Sequence, residues 1–280
     1  MDEAAPLRAL GWVEGKNLIV ERRYTNGKTE LLGPFAEELV RLKVEIIATL
    51  GTPATLAAKN ATSAIPIVIW SAGDVVSTGV VPSLSRPGGN ITGLSLLGPE
   101  IDAKGLALLR EVFPGLLRVG RLENSANPYH RAARSHFEQT CRSVGIQPIF
   151  AEVASESEME NAIKEMARRG AQALLVPSDG LFYTSRITLM TAASKYALPT
   201  LTGDRRLLAD GALAFYIYSD AEQDQRYASF VDRILRGAKP AELPMEQPTK
   251  FEVGINVKTA KALGLNVPQS ILLRADKVIE

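Results

Sequence analysis

With 280 residues, 46% hydrophobic and 22% charged, the chain has ordinary globular composition and enough length for one large core or two medium ones. Its 32 basic and 31 acidic residues leave a formal charge of +1, so nothing points to nucleic acid or to an anionic membrane surface as a partner. The lone Cys141 excludes an internal disulfide framework and any cysteine-cluster metal site, and it reads as a packing residue on a helix.

Taken in order, apolar runs alternate with helical spacing. Leu18–Tyr24 alternates with period two and reads as a strand. Glu30–Lys43 places Leu31, Leu32, Phe35, Leu39 and Leu42 at helical spacing. Val44–Leu50 is a strand that stops at Gly51, and Thr52-Pro53 opens an Ala-rich helix running to Ala61 with N-cap and N1 chemistry. Pro66–Trp70 reads as a short buried strand, Asp74–Leu84 as a helix rich in β-branched residues, Arg86–Asn90 as a turn and Ile91–Leu96 as a strand.

The pattern then restarts. Helices are expected over Pro99–Phe113, Pro128–Val144, Ser155–Arg169, Phe182–Tyr196 and Ala221–Arg236, the last ending at Gly237. Ser155 with Glu158 three residues on has the form of a capping box. Strands are expected over Leu117–Leu122, Gln147–Val153, Ala173–Pro177, Pro199–Thr202, Leu213–Ile217 and Phe251–Val257, with a short helix at Thr259–Leu263. Such alternation predicts an α/β protein with two doubly wound parallel-sheet lobes covered by helices on both faces.

In open α/β sheets ligands bind beyond the carboxyl ends of the strands. Five such ends carry small or polar residues: Gly51–Ala54, Ser71–Asp74, Glu123–Pro128, Pro177–Gly180 and Gly203-Asp204. Each alone is ordinary turn or cap chemistry. Together they predict two rims of hydroxyls, amides, open backbone N–H groups and a few carboxylates, a lining suited to a small zwitterion. A helix N-terminus with Thr52 or Ser71 suits a carboxylate. Asp179, ahead of Asp74 and Asp204, suits an ammonium group.

Signals for catalysis are thin. The chain has no Gly-x-Gly-x-x-Gly loop, Walker A loop or His-Glu-x-x-His motif, so no cofactor and no metal are expected. His130 and His136 lie six apart on one expected helix and read as surface positions. Ser178-Asp179 has no evident histidine base nearby in sequence.

Several segments resemble a known family: Leu10–Leu18, Leu42–Ile47, Gly51–Ala54, Ser83–Gly93 with its Arg-Pro-Gly-Gly-Asn-Ile-Thr-Gly run, Gln247–Phe251 and Asn256–Leu265. The chain is similar along nearly its whole length to the substrate-binding proteins of ABC transporters, in the group that includes binders of aromatic amino acids. The resemblance implies a type I periplasmic-binding-protein fold, two lobes joined by a hinge of three crossings. The crossings map near Leu97, Tyr218 and Pro244, giving lobes 1–97 with 218–244 and 98–217 with 245–280. It also implies capture of a small solute by hinge closure, a membrane permease as partner, a periplasmic or extracytoplasmic location and no enzymatic activity. Carried over by position, the ligand contacts are Thr52, Pro53, Ala54, Ser71 and Asp74 from one lobe and Asn127, Ser178, Asp179 and Asp204 from the other. Trp70, Tyr129, Phe182 and Tyr183 are candidates both for an apolar wall and for the core.

One departure is expected to matter. Family members begin with a signal peptide, a strand and a loop before the first helix, whereas this sequence opens inside that helix, at Ala4–Leu10, and Met1–Arg8 lacks a secretory pattern. The strand so missing would be central, which predicts a weakened first lobe. No apolar run approaches the roughly 20 residues of a membrane span, so direct insertion is not expected. Two other readings share the scaffold: a ligand-sensing module of a regulator, although no DNA-binding segment precedes it, and an enzyme, which would need a base near Ser178. A racemase using two cysteines is excluded by the single cysteine.

Overall fold

The computed structural model describes residues 4–96 and 98–280. It forms two compact units, Met1–Leu97 with Tyr218–Lys250 and Gly98–Ile217 with Phe251–Glu280, so the chain changes unit three times. The crossing expected near Leu97 lies outside the described residues. The third change comes after Lys250, not at Pro244, because Met245 N and Glu246 N still donate to the carbonyls of Leu84 and Gly93 in the first unit.

The first stretch contains α1 (Ala5–Arg8), α2 (Leu32–Arg41), β1 (Ile47–Leu50), α3 (Thr52–Ala61), β2 (Ile67–Ala72) and β3 (Ile91–Ser95). The three strands form one parallel sheet in the order β1-β2-β3. Two expected elements are corrected. Leu18–Tyr24 is not a strand; among the described residues Leu18 makes only an isolated bridge to Glu14, and no neighbouring strand offers that run a ladder. The helix expected at Asp74–Leu84 is a series of turns. Asp74 captures the local donors: its Oδ1 accepts from Val76 N and Ser77 N, and its carbonyl accepts from the Thr78 hydroxyl. Such side-chain bonds compete with helix propagation.

The second unit opens with α4 (Gly98–Val112), β4 (Arg118–Asn124), α5 (Pro128–Ser143), β5 (Gln147–Val153), α6 (Glu156–Arg168), β6 (Ala173–Val176), α7 (Gly180–Thr184), α8 (Arg186–Lys195), β7 (Thr200–Thr202) and β8 (Ala214–Tyr218). The helix expected at Phe182–Tyr196 is two helices with Ser185 between them. The capping box expected before α6 does not form, because Glu158 reaches past the N-cap Ser155 to the residue before it. Glu158 accepts from Ala154 N at 2.7 Å, while the Ser155 hydroxyl bonds to Ser157 and not to the helix. After α9 (Asp220–Leu235) in the first unit come β9 (Phe251–Asn256), α10 (Val257–Ala262), α11 (Gln269–Arg274) and β10 (Lys277–Ile279). The pattern gave no sign of α11 or β10.

The second sheet has seven strands in the order β10-β9-β8-β7-β6-β4-β5. Strands β5, β4, β6, β7 and β8 run parallel. Strand β9 runs against β8, since Asn256 N donates to Leu213 O while Ser219 N donates to Lys250 O. Apolar residues alternate between two cores. In β6, Leu174 and Val176 join one cluster and Ala173 and Leu175 the other. In β2, Val68 and Trp70 face one cluster with α9, and Ile67 and Ile69 face another with α3. Both sheets are thus buried on two faces, which is why their strands read as continuous apolar runs. Cys141 is fully buried, and that burial pushes its thiol up to about 12.

Candidate functional site

In the first unit the rim begins at Gly51. Its N–H donates to Ser71 O at 2.6 Å, joining the ends of β1 and β2. Gly51 is the N-cap of α3 at φ +88°, a conformation that L side chains rarely adopt, so glycine is required there. Thr52 and Pro53 are therefore the first and second helical residues, one position later than the sequence reading. No side chain caps this ten-residue helix. The amides of Thr52 and Ala54 are among its orphan N-terminal donors, and the helix dipole adds to their attraction for an anion. Thr52 is buried, whereas Pro53, Ala54, Ser71 and Asp74 are half-buried at the edge. Asp74 spends Oδ1 on its own turn, as described above, and no hydrogen bond is made to its Oδ2 among the described residues.

In the second unit the parallel register brings the ends of β4, β6 and β7 to one edge. A methyl at Gly203 would lie 2.7 Å from Ser178 N, so the turns after β6 and β7 touch and only glycine fits between them. Asp179 is the hub of this edge. Its Oδ1 accepts from the Asn124 amide at 2.9 Å and from Leu181 N at 2.8 Å, which caps α7. Its Oδ2 accepts from the Asn127 amide at 2.8 Å. The Asp179 side chain is 4% exposed, and His130 Nε2 lies 3.7 Å from Oδ2. An Asp179 held by so many protein donors is poorly placed to take a ligand ammonium. Asn127 also caps α5 through Tyr129 N, and Ser178 is exposed.

His130 overturns its expected surface position: it is buried and stacked on Phe182 with ring centroids 5.9 Å apart, while His136 is exposed. Its Nδ1 accepts from Asn124 N at 2.8 Å, which fixes the proton of the neutral ring on Nε2, facing Asp179. Burial lowers its pKa to about 4, against the pull of Asp179 and with a smaller push from Arg121. Beneath it Arg121 is wholly buried on β4, paired with Asp102 at 2.6 Å and lying over the Phe137 ring.

Asp204 caps the 3-10 turn Arg205–Leu208 through Arg206 N, and both its oxygens hold the Arg206 guanidinium. That guanidinium lies 3.3 Å from the centroid of Tyr183. Of the four aromatics singled out by sequence, Phe182 is core, Trp70 is buried and stacked on Tyr227, Tyr129 sets its hydroxyl where a side chain on Gly98 would be, and Tyr183 is half-buried at the edge. Asn124, the last residue of β4, was legible only as part of the polar run Glu123–Pro128, and Arg206 only by its place shortly after β7.

The ABC transporter substrate binding protein family matches residues 4–279. This chain belongs to that family. It is 25% identical over 255 residues to the tyrosine-binding protein of Clostridioides difficile, covering 91% of this chain and 73% of that one. A domain from Streptococcus pneumonia solved with L-Trp superposes at a TM-score of 0.93 with 22% identity, covering 99% of this chain and 92% of that one. A conserved domain protein of Vibrio cholerae superposes at 0.92 with 24% identity, over 98% and 91% of the two chains. The substrate-binding protein thus has the type I periplasmic-binding-protein fold, two doubly wound units between which the chain passes three times. Among the described residues no helix is long and apolar enough to cross a membrane, and no group of His, Cys, Asp and Glu is arranged to hold a metal.

Proposed function

We propose that this chain is the extracytoplasmic solute-binding component of an ABC import system. It captures an amino acid or a related carboxylate between its two units, which close on the ligand, and delivers it to a membrane permease without turning it over. The family match over residues 4–279 carries the reading. The tyrosine-binding and L-Trp-bound relatives support an amino acid as the solute class.

The zwitterionic head sits on the first unit. The α-carboxylate takes the uncapped amides of Thr52 and Ala54 at the start of α3, with Pro53 and Ser71 beside it. The ammonium takes Asp74 Oδ2. From the second unit, Ser178 and Asn127 present polar groups, and Asp179 and Asp204 hold that rim in shape through Asn124, Asn127 and Arg206.

Isothermal titration against the twenty amino acids and a set of aromatic acids tests this reading. Saturable one-to-one binding of at least one compound, recovered unchanged afterwards, is expected. Turnover of the bound compound, or no binding across the whole panel, would overturn it.

A further inference from the structure

Asn124 spends every polar atom it has on the rim of the second unit. Its carbonyl accepts from Asn127 N at 3.0 Å and its Oδ1 from Ala126 N at 2.9 Å, which shapes the turn into α5. Its side-chain amide donates to Asp179 Oδ1 and ties that turn to the start of α7. Its backbone N–H donates to His130 Nδ1 at 2.8 Å. Asn124 is 3% exposed and His130 1%, so water is not at hand to replace this last bond. A buried N–H is costly to leave unpaired.

Only a neutral ring can accept that bond. Neutral imidazole has one acceptor nitrogen, whereas imidazolium has two donors and none. A proton on Nδ1 would set two N–H groups against each other, and turning the ring over would offer Asn124 a C–H. The Nε2 proton of the neutral ring makes no hydrogen bond among the described residues and lies 3.7 Å from Asp179 Oδ2. A charged ring is drawn to that oxygen, which already holds the Asn127 amide. One proton thus strikes both ends of the Asn124–Asn127 turn. The charged groups around the ring come from three helices and a strand. Asp179 faces it from α7 and Arg121 from β4; Asp102 of α4 pairs with Arg121, as Arg134 of α5 does with Glu123 of β4. Burial opposes a charge on the ring, Asp179 favours it and Arg121 opposes it, which leaves the pKa at about 4.

We propose that His130 is the positioning residue of the second unit's rim: its neutral ring holds Asn124, and through it Asn127, in place, and a proton on the ring lets both go. His130 touches no solute and acts through the two asparagines. The consequence for binding, that acid withdraws Asn127 from the solute, rests on the solute-binding reading above. The positioning itself does not, and its test uses no solute, so the two fail separately.

The test is NMR and amide hydrogen exchange on the full chain. At pH 7 the ring nitrogens of His130 are expected to show the proton on Nε2. From pH 7 to pH 3.5 the Asn124 amide and the Asn127 side-chain amide should shift on the same curve as the ring, while the amide of Val68, in the core of the first unit, stays in place. A proton on Nδ1 at pH 7, an Asn124 amide that ignores the ring's titration, or a Val68 amide that moves on the same curve overturns the proposal. Two variants separate positioning from packing. His130→Asn keeps an acceptor near the place of Nδ1 and cannot take up a proton. It should hold Asn124 exchange at pH 7 within about threefold of wild type and abolish the acid step. His130→Phe keeps a ring to stack on Phe182 and has no acceptor, so Asn124 should exchange at least about tenfold faster. A residue that only fills space predicts the reverse order, and that order overturns the proposal. Should neither variant fold, the wild-type titration alone supports or overturns it.

Discussion

The Asn127 amide donates to Asp179 Oδ2 at 2.8 Å, which ties the turn after β4 to the start of α7. With Asn124 and Leu181 N on the other oxygen, the Asp179 side chain accepts three hydrogen bonds. Replacing it with alanine removes a helix cap and strands two buried amides. A stability loss of about 1.5–3 kcal/mol is expected, read as a lower urea midpoint at unchanged slope. A loss under about 0.5 kcal/mol would show that the hub holds nothing together.

His130 gives the chain an acid sensitivity of its own. Its folded pKa of about 4 lies below the ordinary 6.5, so between those values the unfolded chain binds a proton that the folded chain does not. Stability contributed by the neutral ring is complete above pH 6.5 and falls as the pH drops toward 4. The slope is roughly 1.4 kcal/mol per pH unit in that window. Urea midpoints from pH 7 to pH 4 should show this decline, and His130→Gln should flatten it.

Glu222, on the first turn of α9, accepts from Thr249 N, Lys250 N and the Thr249 hydroxyl, and pairs with Arg226. It thus joins the segment after the second change of unit to the segment before the third. Burial works against its ionisation, yet the Lys250 and Thr249 donors and Arg226 hold its pKa at about 2. The stability it supplies is present above the ordinary 4.5 and is lost as the pH falls from there toward 2. Glu222→Gln is expected to destabilise by about 1.5–3 kcal/mol at pH 7 and to lose the acid transition below pH 4.5. Calorimetric melts across pH 2–7 would check both, and identical curves for variant and wild type would contradict the clamp.

Asp74→Asn separates the turn from the ligand. Asparagine keeps an oxygen for Val76 N and Ser77 N but loses the charge at Oδ2. The melting temperature should stay within a few degrees, while affinity for an amine-bearing ligand drops by about 1.5–3 kcal/mol. An unchanged dissociation constant in titration would remove Asp74 from the ammonium role.

The α/β class and most elements were legible because parallel strands buried on two faces leave unbroken apolar runs, as in Ala173–Val176 and Ile67–Ala72. The polar strand ends were legible for the same topological reason. What pattern could not supply was partnership. Leu18–Tyr24 has the alternation of a strand and, among the described residues, no neighbour to pair with. Asp74–Leu84 is interrupted by bonds that depend on where one carboxylate points. His130 is polar and buried, a placement that only the tertiary position of Asn124 and Phe182 explains. Asp179 looked like a free carboxylate because nothing in the chain order shows Asn124 and Asn127 converging on it.

Among the described residues strand β1 pairs with β2 alone, and Leu50 at its end is 56% exposed. A strand with one bare flank and a greasy tip is a template on which a second polypeptide can lay its own backbone. A lysine in place of Leu50 is the kind of charge by which such an edge is blunted.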